Sequence, residues 1–216
     1  MLVGFTAPFA VFIGVMALEH ALGLPVQVMY PIRILLVTLT LLAFSRPYLT
    51  LRPTHAVSSI LVGAAVFVMW VAPDVLFHYR GSWLFDNALM GHPISTVPHE
   101  LHASVAFRLM RFAGATLLVP ILEELFWRGW LMRWLIHAKF QEVPFGAYMP
   151  GPFWIVAALF ASEHGSYWEV GLLAGIAYNW WAVRTRSLAD CILAHSVTNG
   201  ILSAYVLLFD QWQYWS

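Results

Sequence analysis

The sequence contains few charged residues. Only 10% of its 216 residues are Asp, Glu, Lys or Arg, whereas 61% are apolar and the mean hydropathy is +0.73. Soluble domains carry roughly 25% charged residues. A chain so poor in charge cannot cover its surface with polar side chains, so lipid must be its solvent. Positive and negative side chains balance at 11 each, so no nucleic-acid partner is expected.

Cysteine is also scarce. The single residue, Cys191, excludes an internal disulfide and any zinc site built from several cysteines. The opening MLVGFTAPFA lacks the basic region of a cleavable signal peptide, so we interpret it as part of a first membrane span. We expect one integral membrane domain, with N-terminal spans and an interfacial connection in residues 1–100 and the functional helical core in residues 101–216.

Long apolar segments predict the membrane spans, because a helix needs about 20 residues to cross a bilayer. The segments lie near residues 4–24, 26–45, 56–77, 104–137, 152–167, 168–184 and 187–208. The fourth is too long for one simple crossing and predicts either one long tilted helix or two helices. Backbone in lipid must satisfy its own hydrogen bonds. The sequence therefore predicts an all-α polytopic bundle of seven or eight transmembrane helices.

Basic residues predict the orientation of this bundle. Arg46 and Arg52 follow the second span, and Arg184 and Arg186 follow the sixth. Arg128, Arg133 and Lys139 follow the first half of the fourth segment. When seven spans are counted, all of these residues lie on one side, which the positive-inside rule assigns to the cytoplasm. Arg108 and Arg111, at the other end of the fourth span, oppose this assignment.

Ionisable side chains inside spans are costly unless they are paired, which makes them functional candidates. Glu124 and Arg128 are four residues apart with the acid first, the favourable orientation for an ion pair within a helix. Glu123 is rotated by about 100° from Glu124 and has no local partner, so it is a candidate general base. The alternative is that both acids pair with basic residues only to stabilise packing.

Two further polar elements follow on later apolar segments. His164 ends the sequence Phe-Ala-Ser-Glu-His, well inside an apolar segment. His195 and Asn199 are four residues apart and so share one helix face. Two hydrogen-bond donors placed in this way can hold a developing oxyanion, and His195 could equally bind a metal. Hydrogen bonding between helices is the alternative for these residues.

These elements resemble the motifs of a known protease family. Glu-Glu-x-x-x-Arg, Phe-x-x-x-His and His-x-x-x-Asn, in that order on successive hydrophobic helices, are similar to the motifs of the CPBP family of intramembrane proteases. The family includes the type II CAAX prenyl endopeptidases and bacterial members linked to bacteriocin processing or self-immunity. The resemblance covers about residues 112–208. The size and arrangement also resemble a bacterial subgroup that is related to CAAX proteases and associated with exosortase systems.

The resemblance implies an endopeptidase embedded in a bilayer, here the bacterial inner membrane, with its active site open toward the cytoplasmic side. Its substrate would be a membrane-anchored peptide or protein, either prenylated and of CAAX type or not prenylated. Glu124 and Arg128 would support the site.

The resemblance also implies roles for the remaining motif residues. Glu123 and His164 would activate the attacking water, and His195 and Asn199 would stabilise the tetrahedral oxyanion. The family has been described both as metalloproteases and as metal-free glutamate-dependent proteases. Since Glu123, His164 and His195 are an adequate set of zinc ligands, the sequence leaves the choice between these mechanisms open.

Two other functions compete with this interpretation. Cys191 lies four residues before His195, and a thiolate beside an imidazole is a nucleophilic arrangement, although a lone buried cysteine usually serves packing. The second alternative is a non-proteolytic membrane scaffold, immunity protein or small transporter that uses its polar residues for assembly.

Overall fold

The structure is a computed structural model that describes residues 1–215, and no β-strand is present within them. The predicted all-α membrane bundle is confirmed. Its helices are α1 (Leu2–Leu22), α2 (Val26–Tyr48), α3 (Ala56–Phe77), α4 (Val105–Trp134), α5 (Pro150–Ser162), α6 (Trp168–Thr185) and α7 (Leu188–Phe209). A four-residue helix, His99–His102, lies in the connection between α3 and α4.

Five helices, α1 to α4 and α7, are long and apolar enough to cross a membrane, so the predicted count of seven or eight spans is not confirmed. The helix α5 has 13 residues and is about 20 Å long, shorter than a hydrocarbon core of about 30 Å. The predicted span 152–167 joined this helix to the turn that follows it. The ambiguous fourth segment is a single helix of 30 residues.

Small residues set the packing of two helix pairs. A Cβ atom at Gly63 of α3 would lie 2.3 Å from the carbonyl oxygen of Ala194 in α7. One at Gly175 of α6 would lie 3.1 Å from the carbonyl oxygen of Ala157 in α5. Lipid tails are as apolar as leucine, so membrane helices associate through this kind of close van der Waals approach. The outer surface carries exposed apolar side chains, including Leu35, Leu42, Val68, Leu76 and Leu109.

The basic residues at the ends of α2, α4 and α6 and just after them lie at one end of the bundle, whereas Arg128 is buried within α4. The end of α2 contacts the start of α1, where Ser45 Oγ donates to the carbonyl of Gly4 at 2.6 Å. The start of α1 contacts the segment after α4 through the rings of Phe5 and Phe140, whose centroids are 5.4 Å apart. Gly146 in that segment packs against Arg186 at the end of α6. We call this the basic end, and the opposite end the far end.

At the far end, the connection between α3 and α4 covers the turn between α5 and α6. Arg80 donates to the carbonyl of Ser166 at 2.7 Å and lies 2.8 Å from the carboxylate of Glu169. The hydroxyl of Tyr79 donates to the same carboxylate, and burial together with this hydrogen bond raises the pKa of Tyr79. These contacts fix the turn that carries His164.

Candidate active site

Two π-helical stretches, Gly114–Leu118 and Leu125–Leu131, interrupt α4 on either side of Glu123 and Glu124. In the first stretch, the N–H of Val119 donates to the carbonyl of Gly114, five residues earlier. The next bond of this pattern would need an N–H from Pro120, which proline lacks. The carbonyl of Ala115 instead accepts from Asn199 Nδ2 of α7 at 3.0 Å. Asn199 therefore satisfies backbone that Pro120 leaves unpaired.

The predicted ion pair between Glu124 and Arg128 is present and fully buried. Arg128 Nη1 donates to Glu124 Oε1 at 3.0 Å. Two other nitrogens of the same guanidinium donate to α6, where Asn179 Oδ1 lies at 2.9 Å and the carbonyl of Gly175 at 3.3 Å. The planar donor geometry of arginine thus joins α4 to α6 at two points while it also pairs with Glu124 in α4.

His195 is held in place by the same carboxylate. Its Nδ1 lies 2.9 Å from Glu124 Oε1, so Nδ1–H donates to the carboxylate and the ring orientation is fixed. The ring stacks on Tyr178 with centroids 4.8 Å apart. The other ring nitrogen, Nε2, lies 4.0 Å from Glu123 Oε2. Adjacent glutamates on α4 therefore contact opposite sides of one imidazole.

The two glutamates differ as the sequence predicted. Glu124 Oε1 is shared between Arg128 and His195, whereas the side chain of Glu123 makes no hydrogen bond to any of residues 1–215, and its Oε2 is buried without a partner. The side chain of Glu123 is 12% exposed and that of His195 is 5% exposed. Glu123 is thus a carboxylate with unused hydrogen-bonding capacity in a nearly closed site.

His164 lies across an aromatic ring from this group. Its Nδ1 is 2.7 Å from the carbonyl oxygen of Phe160, so Nδ1 carries the proton and Nε2 is free to accept one. The Phe160 ring centroid is 4.7 Å from the His164 ring and 6.1 Å from the His195 ring. Within residues 1–215, no hydrogen bond or ion pair joins the side chain of His164 to Glu123, Glu124, Arg128, His195 or Asn199.

The structure therefore brings four of the six predicted site residues into direct contact, namely Glu123, Glu124, Arg128 and His195. His164 is separated from them by Phe160, and Asn199 lies one turn from His195 with one amide N–H already used. Two surface cavities of about 300 and 350 Å³ lie outside this group, one between α3 and α6 and one beside Trp130 and Trp134.

A metal ion requires several ligands around one point. Over the part of the chain that is described, no three His, Cys, Asp or Glu side chains lie close enough together to hold one. The histidines do have the backing typical of metal ligands, since His195 bonds a carboxylate and His164 a carbonyl through Nδ1. Zinc binding by Glu123, His164 and His195 stays a prediction.

Sequence reasoning missed two contributors to this site. Tyr178 stacks on His195 and donates to Thr198 Oγ1 at 2.7 Å. Phe160 separates the two histidines and lies 4.7 Å below the guanidinium carbon of Arg128. The only available signal for Phe160 was its place four residues before His164. Asn179 also forms a hydrogen bond between helices, since it donates to the carbonyl of Phe153 in α5 at 2.8 Å.

These features define a class, a membrane helix bundle with a buried carboxylate and imidazole group between α4 and α7. The family model described as type II CAAX prenyl endopeptidase Rce1-like matches residues 104–201. The match confirms the resemblance of this segment to the CPBP family of proteases that the three motifs predicted. The exosortase-associated subgroup stays a prediction. No curated protein and no solved structure gives a significant match.

Proposed function

We propose that the protein is an intramembrane endopeptidase that hydrolyses a peptide bond near the end of a membrane-anchored substrate by means of activated water. The observation that carries this proposal is the contact between Glu123 and His195. Their separation of 4.0 Å is too long for a direct hydrogen bond but allows one water about 2.8 Å from each atom. The family match supports the reaction class.

In the proposed reaction, Glu123 and the free Nε2 of His164 both accept hydrogen bonds from the attacking water. Glu123 takes one of its protons as the water oxygen attacks the scissile carbonyl carbon. The carbonyl oxygen becomes an oxyanion, which receives hydrogen bonds from protonated His195 through Nε2–H and from the remaining N–H of Asn199 Nδ2. When the C–N bond breaks, Glu123 returns the proton to the leaving nitrogen. The products are a carboxylic acid and an amine, and a nearly dry pocket strengthens each charge interaction.

The Glu124–Arg128 pair supports this chemistry by holding His195 in orientation. Glu123, Glu124 and Arg128 together carry one negative charge, and the imidazolium form of His195 balances it. This arrangement suits a residue that must donate from Nε2 while Nδ1–H stays bonded to Glu124 Oε1, 2.9 Å away. The same hydrogen bond argues against the cysteine mechanism, because both ring nitrogens of His195 face glutamates and Cys191 is fully buried.

The position of the site along the helices agrees with substrate entry from the basic end. His195 lies seven residues after the start of α7, and Glu123 eleven residues before the end of α4. These separations correspond to about 10 and 16 Å along the helices. The positive-inside rule assigns the basic end to the cytoplasm. We accordingly place the protein in the bacterial inner membrane, with residues 101–216 as its catalytic core and an anchored peptide, prenylated or not, as substrate.

The experiment is peptide cleavage by the purified protein in liposomes, with a panel of membrane-anchored peptides that includes a prenylated CAAX-type member. His164→Gln should lower kcat about 100-fold or more, since removal of a positioned base typically has that effect. The matched control is His137→Gln, which replaces an exposed histidine after α4 and should keep wild-type kcat. No cleavage of any peptide by the wild type, or full activity of His164→Gln, would contradict the proposal.

A further inference from the structure

Two arginines at the far end of the bundle lie outside the proposed active site. Arg33 of α2 and Arg111 of α4 both contact the ring of Tyr30, with guanidinium carbons 5.2 and 5.0 Å from its centroid. Arg33 is 5% exposed. Two like charges therefore lie close together in a largely buried setting.

Neither arginine is satisfied by the protein. Arg128 donates three hydrogen bonds, whereas the guanidiniums of Arg33 and Arg111 donate none to residues 1–215, and the Nε atom of each is buried without a partner. The one nearby carboxylate is that of Glu19, whose Oε2 lies 3.8 Å from Arg33 Nη1. Two positive charges thus face a single negative charge.

Aromatic rings contact the two guanidiniums but do not accept hydrogen bonds from their N–H groups. The guanidinium carbon of Arg33 lies 4.9 Å from the Phe12 ring centroid, and that of Arg111 lies 5.8 Å from the Trp215 ring centroid. A guanidinium stacked on a ring is attracted by the π face, while its N–H groups point outward in their own plane. The donors of both arginines therefore stay available for an anion with several oxygens.

The depth of the pair indicates where that anion comes from. Arg33 is seven residues after the start of α2 and Arg111 six after the start of α4, or about 9–10 Å from each helix end. The 30 residues of α4 span about 45 Å, so about 7 Å at each end extends beyond a hydrocarbon core of about 30 Å. The arginines lie close to the boundary between the acyl chains and the lipid headgroups.

We propose that Arg33 and Arg111 form a binding site for a phosphate group, carried by the headgroup of an anionic lipid in the leaflet at the far end. The Tyr30 ring contacts the guanidiniums of both α2 and α4 and positions them. The phosphate oxygens accept hydrogen bonds from their free N–H groups. Glu19 limits the net positive charge, so a singly charged phosphodiester balances the site. A lipid bound there joins α2 to α4 at the end opposite the basic residues.

The test is lipid retention by the purified full chain, measured by native mass spectrometry during titration with phosphatidylglycerol or phosphatidylcholine. Wild type should retain one phosphatidylglycerol in preference to phosphatidylcholine. Arg33→Gln and Arg111→Gln should each weaken that binding tenfold or more. The matched control is Arg108→Gln, which removes the same charge one turn earlier on α4 and should change binding less than twofold. The proposal would be overturned if all three substitutions weakened phosphatidylglycerol binding equally, or if none of them weakened it.

A second measurement separates a binding defect from a folding defect. In lipid-free detergent, Arg33→Gln and Arg111→Gln should unfold at the wild-type temperature or above it, because each removes an unbalanced charge. Added phosphatidylglycerol should then raise the midpoint temperature of unfolding of the wild type and of Arg108→Gln, but not that of Arg33→Gln or Arg111→Gln. Inorganic phosphate, compared with chloride at equal ionic strength, should raise it much less. An equal rise with inorganic phosphate would overturn the lipid as the source of the phosphate.

Discussion

Glu123→Gln is expected to abolish peptide cleavage while the protein stays folded. The substitution keeps the shape of the side chain but removes the group that accepts the proton of water, and loss of a positioned base costs about 10²–10⁴-fold in rate. The side chain of Glu123 makes no hydrogen bond within residues 1–215, and its Oε2 is buried without a partner. Replacing this charged side chain by a neutral one should therefore leave the thermal midpoint in detergent unchanged or raise it.

The matched control for this variant is Glu163→Gln. Glu163 is the next acid along the chain that lies near the site, and it is exposed on the turn after α5. The proposed reaction gives it no role, so the variant should keep cleavage within a few-fold of wild type. Loss of cleavage in Glu163→Gln together with full activity in Glu123→Gln would identify Glu163 as the general base and would contradict the proposed role of Glu123.

Glu124→Gln is expected to destabilise the protein as well as inactivate it. The substitution leaves Arg128, which is 0% exposed, without its anionic partner and removes the charged acceptor of His195 Nδ1–H. Breaking a buried pair by removing one partner typically costs about 3–5 kcal/mol. The measurement is the midpoint of unfolding in detergent, which should fall well below that of wild type and of Glu123→Gln.

Two further variants test whether this loss comes from the buried pair. The double variant Glu124→Gln, Arg128→Met should unfold at a higher temperature than Glu124→Gln alone, because the unpaired buried guanidinium is then removed. Glu142→Gln breaks the exposed pair with Lys139, whose atoms are 3.4 Å apart, and should leave the midpoint unchanged since solvent screens such pairs. Equal midpoints for Glu124→Gln and Glu142→Gln would contradict a structural role for the buried pair.

Local spacing predicted the parts of the fold and site that depend on one helix. The all-α bundle follows from composition, and the four-residue spacing of Glu124 and Arg128 predicted their ion pair. The predicted end of α5 was wrong, because the turn Gly165–Tyr167 continues an apolar segment without a strong break, whereas the start of α6 was predicted correctly. The short α5 is accommodated where the connection from α3 covers this turn, a long-range contact that no local pattern reveals.

The contacts between helices could not be predicted from the motifs. The sequence gives no distance between Glu123 and His195, and the role of Glu124 as the acceptor of His195 Nδ1–H emerges only when α4 and α7 are packed together. The hydrogen bond from Asn199 to Ala115 similarly depends on the carbonyl that Pro120 leaves free. The stacking of the Tyr178 ring on His195 likewise depends on how α6 packs against α7, which no local pattern reveals.

The most direct test of the proposed water mechanism is single-turnover cleavage in water enriched in heavy oxygen. The wild-type protein should place one heavy oxygen in the new carboxyl group of the product, and no covalent intermediate should accumulate, because water attacks the peptide directly. Glu123→Gln should give no labelled product in the same time. Recovery of a thioester at Cys191, or of labelled product at the wild-type rate from Glu123→Gln, would contradict the assignment of Glu123 as the base that activates water.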